Sequence, residues 1–125
     1  MLSRFREAGL LVSTGDLDGA ARIYQALADD SEIEATYRDL AVILGVLQEM
    51  NQPDGGHGKL IGSVAALNTS DNPWRHSARE ILAFSALQSS DKASARNLLS
   101  QLANDATAPA GVRARSAEML AIVGN

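Results

Sequence analysis

Two aspartates and a glycine open the stretch TGDLDGAARIYQAL, residues 14–27, in the D-x-D-G spacing that a calcium loop uses. An EF-hand-type loop takes oxygen ligands at positions 1, 3 and 5, glycine at 6 and a bidentate glutamate at 12. With Gly19 at position 6, Asp16 and Asp18 take 3 and 5, but Thr14 falls at 1 and Gln25 at 12. The strongest ligand is missing, so Asp16 reads as a helix N-cap. His57 and His76 are the only histidines. His57 lies in a Gly-rich link with no cysteine, second histidine or acidic pair to complete a zinc set. His76 sits one turn into a helix beside Arg75 and Arg79, and both histidines read as solvated. Without a general base, serine and threonine hydroxyls are poor nucleophiles. DGGHGKLIGS, residues 54–63, looks like a phosphate loop but lacks G-x-x-x-x-G-K-[ST]: Lys59 is followed by Leu60, and no strand precedes it. It reads as the loosened start of a helix. The competing expectation is a small-molecule sensor or enzyme with its pocket at 54–63 and His57. The residues thus assign no catalytic, cofactor-binding or metal site.

The composition points the same way. The chain has 125 residues, enough for one ordinary domain that buries roughly two thirds of its unfolded surface. Hydrophobic residues make up 46% and aromatics only 4%, so the interior is built from Ala, Leu, Ile and Val, which favours closely packed helices. Net charge is −4, with 5 basic against 10 acidic residues in 1–62 and 6 against 5 in 63–125. A pI near 5.0 and only two lysines argue against nucleic acid as a partner. There is no cysteine, which removes disulfides and Cys-based zinc sites. No run of about 18 apolar residues occurs, and the first residues lack the pattern of a signal peptide, so the chain is expected to be soluble as given.

Apolar residues step by three and four nearly everywhere: Ala8, Leu10 and Leu11; Ala20, Ile23, Tyr24 and Leu27; Leu40, Ile43, Leu44 and Leu47. No stretch alternates like a strand. The segments STGD (13–16), DDSE (29–32), NQPDGG (51–56), NTSDNP (68–73), SSDK (89–92) and DATAP (105–109) read as short links that supply N-cap acceptors, with Pro73 and Pro109 at or before a first turn. Six links predict seven helices. The links also repeat. GDLDGAARIYQALADD from Gly15 aligns with SDKASARNLLSQLAND from Ser90 at an offset of 75. YRDLA at 37 aligns with WRHSA at 74 (offset 37), and RHSAREILA at 75 with RARSAEMLA at 113 (offset 38). Because 37 and 38 sum to 75, one period governs all three. The expected fold is all-α, a single domain over 1–125 with hairpins at about 2–30, 33–68 and 73–104 and a capping helix at about 110–123.

Gly15-Asp16, Ala20, Tyr24 and Ala26-Leu27 resemble the turn and second helix of a tetratricopeptide repeat. Over almost the whole chain, Tyr37-Arg38, PWRHSAREILAFSAL (73–87) and ARNLLSQLANDATAPAGVRARSAEML (95–120) look like the C-terminal domain of the YfgM-type ancillary subunits of the SecYEG translocon. Pro73-Trp74-Arg75, Ala78-Arg79-Glu80 and Pro109 with Arg113 are the most specific pieces. The resemblance implies a right-handed helical-repeat solenoid on the periplasmic side of the bacterial inner membrane, anchored in the longer protein by an N-terminal helix that this segment lacks. It implies protein partners, translocon or envelope chaperones, and a non-catalytic scaffold. Arg38, Arg75, Arg79, Arg113 and Arg115 recur near the starts of the first helices, which line the concave face of such an array. They would hold carboxylates of a partner, or pair along the stack with Glu80, Glu118 or Asp39, or lie solvated. Trp74 is either an anchor between neighbouring hairpins or an exposed hot spot. An incomplete array also leaves an apolar end, so self-association through terminal hairpins is a further expectation.

Overall fold

The computed structural model describes residues 1–50 and 60–124. Among them are seven α-helices and no strand: α1 (Leu2–Ser13), α2 (Leu17–Ala28), α3 (Ala35–Met50), α4 (Ile61–Val64), α5 (Arg75–Gln88), α6 (Lys92–Ala103) and α7 (Ala110–Val123). A single 3-10 turn, Ala65–Leu67, continues α4. The chain divides into two compact units, Met1–Leu67 and Asn68–Asn125.

In the first unit α1 and α2 form a hairpin and α3 packs back on α2. The turn closes because Gly15 adopts φ +89°, a left-handed conformation glycine takes without steric cost. The Asp16 and Gly15 amides can then donate to Leu11 and Val12 carbonyls at 2.8 and 3.1 Å, satisfying the end of α1. Asp16 starts α2 by accepting the Gly19 N–H on its carboxylate at 2.9 Å. The aspartate of the D-x-D-G stretch is therefore a cap, and Asp18 is exposed. Ala8 and Ala20, both fully buried, let the helices approach closely around Tyr24, Leu27 and Ala41. Phe5 lies against the Tyr24 ring, with centroids 6.3 Å apart. Among the described residues the second arm of the middle hairpin is α4 and its 3-10 turn, which bring Leu60, Val64 and Leu67 into the interior. The Leu60 side chain sits over Gly45 of α3, at a spot where an added methyl would lie 2.3 Å from its Cδ1.

The second unit rebuilds the first one's three-helix arrangement 75 residues later. Ser90, φ +63°, stands where Gly15 does, and the Asp91 and Ser90 amides donate to Ala86 and Leu87 at 2.8 and 3.1 Å. Asp91 caps α6 through the Ser94 N–H at 3.2 Å. Ala83 and Ala95 replace Ala8 and Ala20 at the crossing, and Leu99 and Leu102 replace Tyr24 and Leu27, all buried. Ser116 of α7 replaces Ala41 and satisfies its buried hydroxyl on the Val112 carbonyl at 2.8 Å. Ser90 carries a side chain in a left-handed conformation, which disfavours Cβ. Ser90→Gly is accordingly expected to stabilise the protein by about 0.5–1 kcal/mol, read as a higher melting temperature from the fluorescence of Trp74, the only tryptophan.

Candidate functional site

Among the described residues the densest polar cluster is in the second unit, where the first turns of α5 meet the link between α6 and α7. Asp105 is its centre. Its Oδ1 accepts the Thr107 N–H at 2.9 Å and the Thr107 hydroxyl at 2.6 Å. Its Oδ2 accepts from His76 Nε2 at 3.1 Å and from the Arg79 guanidinium at 3.3 Å. Arg79 Nε also donates to Asn68 Oδ1 at 2.6 Å, and Arg75 donates to the Asn72 carbonyl at 3.1 Å and to Thr107 Oγ1 at 3.3 Å. The Thr107 hydroxyl and N–H, with His76 beside them, hold the Asp105 carboxyl well below the usual carboxylate range.

His76 is therefore not solvated, as its neighbours in sequence suggested: its side chain is 13% exposed and pairs with a carboxylate 29 residues later. Because an ionised carboxylate only accepts, Nε2 carries a proton. That fixes what the cluster can do. The Thr107 hydroxyl also approaches Nε2, at 3.3 Å, so Asp105 and Thr107 share one ring nitrogen. A nucleophile, base and orienting acid need opposite nitrogens of the ring, and here the threonine proton is already donated to Asp105. The cluster is a lock between helix start and link.

The lock has a simpler counterpart in the first unit. Arg4 and Asp30 occupy the places of Arg79 and Asp105, 3.7 Å apart, and the Glu32 N–H donates to Asp30 Oδ1 at 2.9 Å as Thr107 does to Asp105. Arg38 donates to the Ser31 and Ile33 carbonyls of the same link. Arg115 grips Glu80 with two bonds, at 3.1 and 3.2 Å, joining α7 to α5. Trp74 is half-buried, and its backbone N–H donates to Asn72 Oδ1 at 2.8 Å. Arg113 is exposed.

Of the arginines singled out in the sequence, Arg75 and Arg79 come together, Arg115 joins Glu80, and Arg38 and Arg113 stand elsewhere. Sequence comparison missed Thr107 and Asn68, although the repeated Asp30 and Asp105 marked the centre of the lock. His57 and residues 54–59 of the Gly-rich stretch lie outside the described residues; of the remainder, Leu60 is core. Among the described residues no group of three or more His, Asp or Glu side chains is placed to hold a metal ion, and no helix is long and apolar enough to cross a membrane. No protein-family model, no curated protein and no solved structure matches this chain.

Proposed function

We propose that this chain is a non-catalytic protein-interaction module: a right-handed, tetratricopeptide-like solenoid that serves as a scaffold. The observation that supports it most is where the ionisable side chains are spent. Asp16 and Asp91 cap helices, Asp30 and Asp105 fasten links that Arg4, Arg38 and Arg79 also hold, and Arg115 ties α7 to α5 through Glu80. Building one three-helix unit twice in this way produces surface, not a reaction centre; in helical-repeat proteins that surface is what partners read. The sequence resemblance supports the finer reading, the soluble domain of a membrane-anchored protein on the periplasmic side of the bacterial inner membrane, working beside the translocon or envelope chaperones. Self-association through terminal hairpins belongs to the same proposal.

The test is photo-crosslinking in bacteria from a reactive amino acid placed at exposed positions on each unit, including Arg22, Gln101 and Arg113. Adducts with translocon or chaperone subunits are expected, at positions that cluster on one face. Adducts with none of these proteins from any position, or a measurable turnover of a small molecule by the purified chain, would sink the scaffold reading.

A further inference from the structure

We draw no further inference here: the strongest candidate, the surface of the second unit on which the apolar side chains of Phe84 on α5 and Ile122 on α7 stand exposed, carries none, because the neighbouring Glu80 is already paired with Arg115 and nothing in the structure shows what covers it.

Discussion

Gly45→Leu is expected to break the seal of the first unit, and Leu60→Ala in the same chain to restore much of it. A Cβ at position 45 would lie 2.3 Å from Leu60 Cδ1 and 3.1 Å from Tyr24 Cβ, in an interior where Leu60 is only 2% exposed. A full leucine there forces both neighbours out of place, at about 1–3 kcal/mol, against a helix-propensity gain of about 1 kcal/mol. Leu60→Ala alone empties the same spot and should cost about 2–5 kcal/mol. The second unit shows why the pair should compensate. Leu120 stands 75 residues after Gly45 on the equivalent helix, so α7 carries on its own backbone the leucine that α3 receives from residue 60. The double variant is thus expected to be more stable than the sum of the singles by about 1 kcal/mol or more. Urea midpoints of the parent, both singles and the double measure this coupling. Strict additivity would mean that a leucine on α3 cannot take Leu60's place.

The same pair shows what a sequence of this kind discloses and what it withholds. Seven helices were legible because each link carries aspartate, asparagine or proline, residues whose effect on the chain is local. Asp16 and Asp91 cap as their neighbours suggest. The offset of 75 was legible too, since Ala20 and Ala95, Leu27 and Leu102, and Asp30 and Asp105 recur in type. The partners of those aspartates were not. Arg79 and His76 reach Asp105 only because the link after α6 folds back on the start of α5, a closeness that separations of 26 and 29 residues conceal. The outward apolar residues were hidden for a different reason. Apolar side chains fall on all sides of α7, so helical period alone cannot tell Ile122 from a core residue. Nor does the sequence explain Gly45 in mid-helix; the approach of Leu60 does.

Acid is expected to loosen the second unit, while the contribution of Glu49 to the first changes in the opposite sense. In the second unit the folded state holds Asp105 well below the usual carboxylate range, through Thr107 and His76. A depressed value in the folded state means the unfolded chain takes up the proton first. The lock's contribution is therefore complete above about pH 4, the ordinary aspartate value, and is lost as pH falls below it. Asp105→Asn removes the acceptor charge at every pH, so it should lower the melting temperature at pH 7, with the gap to the parent narrowing progressively as pH falls below about 4. In the first unit burial pushes the Glu49 carboxyl up, its Oε2 has no hydrogen-bond partner among the described residues, and the Leu60 N–H offsets this only in part. A raised value reverses the sign: stability is highest below about pH 4.3, the ordinary glutamate value, and falls as pH rises through the folded-state value. Glu49→Gln should consequently stabilise at pH 7 and change little at pH 4. Two probes separate the units. Trp74, the only tryptophan, reports the second, and amide exchange along α3 and α4 reports the first. If Trp74-detected melting of the parent and of Asp105→Asn falls in parallel on acidification, the lock carries none of the acid sensitivity. If exchange in α3 does not slow in Glu49→Gln at pH 7, the buried carboxylate does not weaken the seal over Gly45.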